Sequence, residues 1–416
     1  MVSGARLPYR QRLVDSLVEE LFTQLSALMV IGPRAAGKTT SAARKAASTV
    51  RLDREAEAVA FAGDPDAALR GLPEPVLLDE WQAVPGVLGA VKRAVDADPS
   101  PGRFLLTGSV RAELENEVWP GTGRLVRLAM YPMTVREQLG RIGAPSFFDR
   151  LAEGGEPAVG ADPPDLRGYV ELALRSGFPD PALRLTGQPR QAWLESYVED
   201  LLTHDVEAAQ EGRRDRQRLR RYFEAYALGS ATVAEAKTIY DAAGVNKATA
   251  AAYERLLESL LVAETVPAWR SNRLKRLVHQ PKRYLVDPAL IAAALRIEVA
   301  GVMRDGALLG QVLDTFVAAQ LRPELAVSAT RPRLHHLRSA QGRHEIDLIA
   351  ELAGGRLVGI EIKAGASASA GDARHLAWLR DELGERFARG VVLHTGPRTY
   401  ELGKRIVAAP ICTLWG

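Results

Sequence analysis

The sequence predicts an α/β protein: a parallel sheet at the amino end, a helical and winged-helix-like middle, and a second α/β layer at the carboxyl end. Three observations predict this. Short apolar runs alternate with helix-period stretches through the first third of the chain. A glycine-containing turn separates the first of those runs from the first helix-like stretch. Near the carboxyl end, two strand-like runs carrying acidic residues flank a Gly-Gly turn.

The first strand is expected at Leu25–Ile31, with a helix over Thr39–Ala47. Between them Gly32, Pro33, Arg34, Ala35, Ala36, Gly37, Lys38 and Thr39 fit G-x-x-x-x-G-K-[ST], the phosphate-binding loop. The two glycines let the main chain curl so that successive N–H groups point inward as an anion cradle, helped by the helix start. Lys38 would reach the β- and γ-phosphates and Thr39 would ligate Mg²⁺, with Thr40 beside them. ATP and Mg²⁺ are the expected ligands.

Further strands are expected at Val50–Asp53 and Val76–Leu78. The latter ends in Asp79-Glu80, an acidic pair that is costly at a buried strand tip unless a cation sits there. Asp79 would hold the metal through water, and Glu80 would polarise the attacking water as general base. The strand Arg103–Leu106 runs into Thr107-Gly108-Ser109, and Ser109 is assigned the sensing of γ-phosphate or water. A fifth strand, Leu125–Leu128, follows. Helical stretches between most of these runs argue for a parallel sheet covered on both faces. Arg111 or Arg124 fits an arginine finger, in cis or from a neighbouring subunit of an oligomer; each fits a surface arginine equally well.

Size and composition are compatible with a multi-domain ATPase. At 416 residues the chain exceeds one ordinary core and divides into residues 1–140, 141–229, 230–300 and 301–416. The lone Cys412 excludes an intrachain disulfide and a thiolate zinc cluster. With no signal-like leader and no apolar run near the ~18 residues a spanning helix requires, a cytoplasmic protein away from membranes is expected. Net charge is only +3, but "RRDRQRLRR" places six arginines between Arg213 and Arg221, and a second basic stretch spans Arg270 to Arg283. Both fit nucleic acid or a solvated face.

The phosphate loop, "LLDEWQAVPGVLGAVKRAVD", "RFLLTGS", "GRLVRLAMYPMTVREQ" and "SGFPDP" occur in an order that resembles a widespread group of prokaryotic AAA-type ATP-binding proteins. These carry an AAA ATPase domain followed by a domain of unknown function. The resemblance implies that Gly123-Arg124 and Tyr131 to Glu137 close the ATPase domain. The family's "GGFP" stands here as Ser176-Gly177-Phe178-Pro179.

Leu166 to Leu228 has the three-to-four spacing of packed helices. The segment "ATVAEAKTIYDAAGVNKATAAAYERLLESLLVAETVPAW" reads helix, turn at Gly244-Val245-Asn246, long helix, then strand. That pattern suits a winged helix-turn-helix, whose second helix would offer Lys247, Thr249 and Arg255 to a major groove. It suits a protein-packing module as well.

The last third opens on the amphipathic "GALLGQVLDTFVAAQL". Asp347 then sits in one strand, and Glu361 and Lys363 sit on one face of the next, with Asp347 able to face Glu361 across a hairpin. Two carboxylates could hold Mg²⁺ or Mn²⁺, Lys363 would orient water or stabilise phosphate oxygens, and Asp314 could add a carboxylate. D-x13-E-x-K resembles the PD-(D/E)XK nuclease signature, which implies a restriction-endonuclease-like α/β domain that binds DNA and whose metal centre fits DNA cleavage. The terminal strand is expected at "ICTLWG". A structural ladder of acids and lysine, or a silent nuclease-like fold, fits the same residues. The nearby His335, His336 and His344 are left out of the site.

Overall fold

The computed structural model describes residues 8–109, 123–205, 216–233, 235–269, 280–339 and 343–416. The chain forms two compact units, residues 1–132 with 255–262, and residues 133–254 with 263–416.

The first unit holds five parallel strands: β1 (Ala27–Ile31), β2 (Ser48–Arg51), β3 (Val76–Asp79), β4 (Phe104–Gly108) and β5 (Leu125–Ala129). Their spatial order is β2-β3-β4-β1-β5. Alternate residues of the central strands feed two cores. Ala27, Met29, Leu78 and Leu106 pack with Val87, Leu88, Val91 and Val95, which recur every three or four residues along the helix Val87–Ala97. Leu28, Val30, Leu77 and Leu105 pack with Val14, Val18 and Phe22 of the helix Leu13–Phe22. Each fully buried leucine contributes roughly 2 kcal/mol.

Two boundaries differ from expectation. β2 starts at Ser48 because it pairs with β3 from Ser48 opposite Val76, although only Val50 of the strand is buried. An edge strand with one inward residue leaves little apolar signal. The helix after the loop stops at Ala43, since Ala47 N–H donates to the Pro75 carbonyl and draws the chain into β2. The strand order has a direct consequence: β4 lies between β1 and β3, so three strand tips meet at one sheet edge.

The second unit begins with the short helices Val135–Gln138 and Phe147–Ala152, followed by helices over Leu166–Arg175, Pro179–Leu183, Gly187–Asp200 and Arg216–Leu228. The helix Ala236–Ala243 ends on Gly244 at φ 64°, a left-handed position that glycine adopts without strain. The helix Lys247–Ser259 follows, its residues from Arg255 onward belonging to the first unit; its start is capped by Asn246, whose side-chain oxygen accepts from Thr249 N–H at 2.9 Å. β6 (Ala263–Val266) and β7 (Lys282–Leu285) then pair antiparallel, with Thr232 bridging to Arg283.

After the helices Ala289–Leu295, Val299–Arg304 and Gly306–Leu325, the last of which carries Asp314, the unit forms a six-stranded sheet of order β12-β13-β11-β10-β9-β8. Its strands are β8 (Arg333–Arg338), β9 (Glu345–Glu351), β10 (Leu357–Ile362), β11 (Phe387–His394), β12 (Tyr400–Gly403) and β13 (Ile406–Pro410). β8, β9 and β10 pair antiparallel, whereas β10, β11 and β13 run parallel. The helix Arg374–Leu383 covers one face through Leu376, Leu379 and Leu383, which makes the β10–β11 connection a crossover. The expected terminal strand is corrected: the last strand is β13, and Ile411–Leu414 is a 3-10 turn. Pro410 has no N–H to extend the ladder. Arg150 instead binds the Thr413 and Gly416 carbonyls at 2.9 and 3.1 Å. No helix among the described residues is long and apolar enough to cross a membrane.

Candidate functional site

The loop after β1 is held against the end of β5. Met130 N–H donates to Ile31 O at 2.7 Å, and a Cβ on Gly32 would lie 2.0 Å from the Met130 carbonyl oxygen. Only glycine fits there. Gly37 and Ala35 take φ of 98° and 58°, which curls the loop. Arg12, just before the first helix, is buried and clamps the loop from outside. Its guanidinium donates to Ala36 O at 2.7 Å and to Tyr131 O at 2.6 Å.

Lys38 is only 4% exposed, and its ammonium donates to Pro33 O at 2.9 Å. Burial lowers its pKa to about 8, against the opposing pull of Glu80 and Asp79. Thr39 Oγ1 donates to Asp79 Oδ1 at 2.7 Å, and Thr107 Oγ1 donates to the same oxygen. Asp79 is therefore aimed by two hydroxyls. Glu80 sits in the left-handed region at φ 52° and ψ 51°. Ser109 Oγ donates to Glu80 Oε2 at 3.0 Å, and the Gln82 amide donates to the same oxygen. A Cβ on Gly108 would collide with Trp81 and Gln82, so glycine lets that segment approach.

Lys38, Thr39, Asp79, Glu80 and Ser109, assigned from sequence, thus converge at the tips of β1, β3 and β4. Arg12, Thr107 and Gln82 join them. The TGS and DEWQ strings contained Thr107 and Gln82, but no local signal marks Arg12. Arg124 pairs on the surface with Asp96 at 2.8 Å, and Arg111 lies outside the described residues. A cavity of about 470 Å³ beside the post-loop helix is lined in part by Tyr9, Val18, Ser41, Ala42 and Met130.

The second centre lies in the sheet of the second unit. The β9–β10 ladder ends with Leu348 opposite Ile360, one residue short of Asp347 and Glu361 on the same two strands. Asp347 Oδ2 accepts from Ile362 N–H at 2.9 Å. Glu361 is 4% exposed; Lys363 Nζ donates to its Oε2 at 3.0 Å, while its buried Oε1 has no hydrogen-bond partner. Burial, and next the Asp347 charge, raise the Glu361 pKa to about 8. His375 Nδ1 stands 3.9 Å from Oε1.

Lys282 of β7 enters this cluster, and sequence reading missed it. It is 3% exposed, pairs with Asp314 Oδ2, and lies 3.4 Å from Asp347 Oδ1. Asp314 also accepts from Tyr284 O–H at 2.9 Å. Burial raises the Asp314 pKa to about 6 despite the opposing lysine. Lys282 stands two residues before the apolar run "YLV", Tyr284 to Val286, and its proximity to that run was the available signal. Among the described residues, no three His, Cys, Asp or Glu side chains gather as a metal shell.

The basic stretches divide. Arg216, Arg218 and Arg221 are exposed, whereas Arg220 pairs with Glu199. Lys282 and Arg283 are buried rather than offered to a partner, and Arg283 pairs with Glu254 at 2.6 Å. Residues 213–215 and 270–279 lie outside the described residues. Lys247 and Arg255 are exposed and Thr249 is half-buried. His336 is buried against Gln280 O at 2.8 Å, and His344 stacks on Trp378 at 3.9 Å.

Comparison with known proteins matches residues 24–139 to an AAA domain, which supports a nucleotide-binding, AAA-type ATPase domain in the first unit. Residues 166–300 and 309–414 match two domains of unknown function, DUF8612 and DUF4143. Uncharacterized proteins of Mycobacterium tuberculosis and Mycobacterium bovis are each 29% identical over 391 residues, covering 92% of this chain and 79% of theirs. A tRNA dimethylallyltransferase of Frankia casuarinae is 33% identical over 153 residues, 32% of this chain and 50% of that protein.

Proposed function

We propose that the chain binds and hydrolyses ATP in its AAA-type domain and couples that cycle to a nuclease-like carboxyl-terminal domain that engages nucleic acid, DNA foremost. The observation that carries the ATPase reading is the meeting of Lys38, Thr39, Asp79, Glu80 and Ser109 at three adjacent strand tips. The loop amides and Lys38 bind the β- and γ-phosphates. The cavity lined by Tyr9, Ala42 and Met130 takes the base. Mg²⁺ fits because the Thr39 hydroxyl and Asp79 carboxylate already converge on one point, and it would neutralise phosphate charge there. Thr107 keeps Asp79 aimed. Glu80 accepts the proton of the attacking water, with Ser109 and Gln82 fixing its carboxylate.

In the second unit, Asp347 and Glu361 are the proposed divalent-cation ligands, with Lys363 positioned for a phosphate oxygen. The unpartnered Glu361 oxygen supports a cation there. The segment from Ala236 to Leu285 is proposed to act as a winged helix, with Lys247, Thr249 and Arg255 toward the groove. The domain boundaries at 140, 229 and 300 belong to the same proposal. One observation favours a second reading, an ATP-dependent switch or scaffold with a silent nuclease-like domain: Lys282 already neutralises Asp314 and Asp347.

Plasmid nicking separates the two. Metal-dependent nicking lost in Lys363→Ala and kept in Lys38→Ala supports cleavage. Absence of nicking with Mg²⁺ or Mn²⁺, alongside ATP binding by calorimetry, supports the switch. Lys38→Ala is expected to weaken ATP at least about 100-fold, as loss of a buried charge partner does. Unchanged affinity in that variant overturns the phosphate-site assignment.

A further inference from the structure

We propose that Lys282 is the resident cation of the acidic centre, its ammonium standing in for a divalent ion among Asp314, Asp347 and Glu361 and keeping that ion out. The inference rests on the reading of Asp347 and Glu361 as cation ligands. It departs from that reading in stating which cation they meet in this state.

Four observations support it. Lys282 is buried to 3% exposure, which a lysine tolerates only beside opposite charge. Its Nζ pairs with Asp314 and lies 3.4 Å from both the carboxylate and the backbone carbonyl of Asp347. These oxygens are the hard donors a divalent ion would take. Glu361, equally buried and on the strand next to that of Asp347, keeps Oε1 without a hydrogen-bond donor. The cluster thus carries three carboxylates, Asp314, Asp347 and Glu361, against two ammonium groups, Lys282 and Lys363.

Lys282 also comes from outside the six-stranded sheet. It belongs to β7, paired with β6, Val266 opposite Lys282. The Lys282 share of the counter-charge is therefore carried by a different structural element from the acids it meets. A shift of β7 would withdraw the ammonium and leave Asp314 and Asp347 exposed to metal. With Lys282 in place the three acids do not gather as a metal shell. A divalent ion brings twice the charge of the lysine and accepts more oxygen ligands, so removal of Lys282 should let the acids close on one.

The test uses the full-length, nucleotide-free protein and Mn²⁺ alone, with free ion followed by electron paramagnetic resonance. The wild type should show no Mn²⁺ site that depends on Glu361. Lys282→Met, which leaves Asp314, Asp347 and Glu361 in place, should bind one ion per chain, and adding Glu361→Gln should abolish that binding. Mn²⁺ should raise the thermal midpoint of Lys282→Met and leave the wild type unmoved. If Lys282→Met does not fold, Lys282→Gln is read the same way. A Glu361-dependent site in the wild type overturns the proposal and leaves the cation-ligand reading standing. Folded variants with no Mn²⁺ site overturn both. ATP binding, measured separately, is untouched by either result.

Discussion

The two charged centres use the same residue types and settle them in opposite ways. In the first unit Lys38 is buried, yet its ammonium rests on the neutral carbonyl of Pro33. Its acids are held by hydroxyls and an amide: Thr39 and Thr107 on Asp79, Ser109 and Gln82 on Glu80. In the second unit the lysines sit directly on the carboxylates, Lys282 on Asp314 and Asp347, Lys363 on Glu361. A site that keeps its opposite charges apart retains them for a ligand. A site that pairs them internally has much of its electrostatic demand met before any ligand arrives.

The largest effect should come from chemistry. Glu80→Gln is expected to retain ATP within about threefold and lose hydrolysis by roughly 100- to 10,000-fold, the usual range for a general base. Phosphate release and calorimetry on the same sample read both numbers. A normal turnover rate would remove Glu80 from the role and blur the contrast with Glu361.

Next comes stability, which separates the lysines of the second unit. Lys282→Ala strands two carboxylates in a buried cluster and should cost about 3–5 kcal/mol. Lys363, with 36% of its side chain exposed, should cost no more than about 1 kcal/mol as Lys363→Ala. Urea unfolding of the two variants measures the difference. Equal costs would mean that Lys282 is not the ion on which the cluster depends.

The smallest effect is a pH dependence. Lys38 must be charged to hold phosphate, and burial has lowered its pKa in the free protein to about 8. ATP affinity should therefore be complete below that value and fall as pH rises through it, by at most about tenfold per pH unit. In Lys38→Arg the guanidinium stays charged, so the same titration should be flat over pH 7 to 9. A flat wild-type profile would show that Lys38 does not lose its charge over this range.

How legible each centre was in the sequence follows from how local it is. The phosphate loop is eight consecutive residues, and the curl it requires is written in Gly32 and Gly37. Glu80 and Ser109 were found because each ends an apolar run. That they share a hydrogen bond depends on β4 lying next to β3, a spatial order no periodicity encodes. Arg12 acts across 24 positions on Ala36, and Lys282 across 65 on Asp347, so neither leaves a motif. Lys282 closed a stretch rich in arginine and lysine, which pointed outward to solvent or nucleic acid. The β-ladder instead turned it inward. The carboxyl-terminal turn at Ile411 was missed because its residues are as apolar as a strand's, and only Pro410 marked the stop.

Glu80 carries a side chain in a backbone posture that costs most residues about 1–2 kcal/mol and glycine almost nothing. Replacement by glycine would relax the main chain there while deleting the carboxylate. Such a protein should be easier to fold and idle. Durability and turnover therefore pull against each other at this single position, and a screen for heat resistance alone would be drawn toward a chain that no longer works.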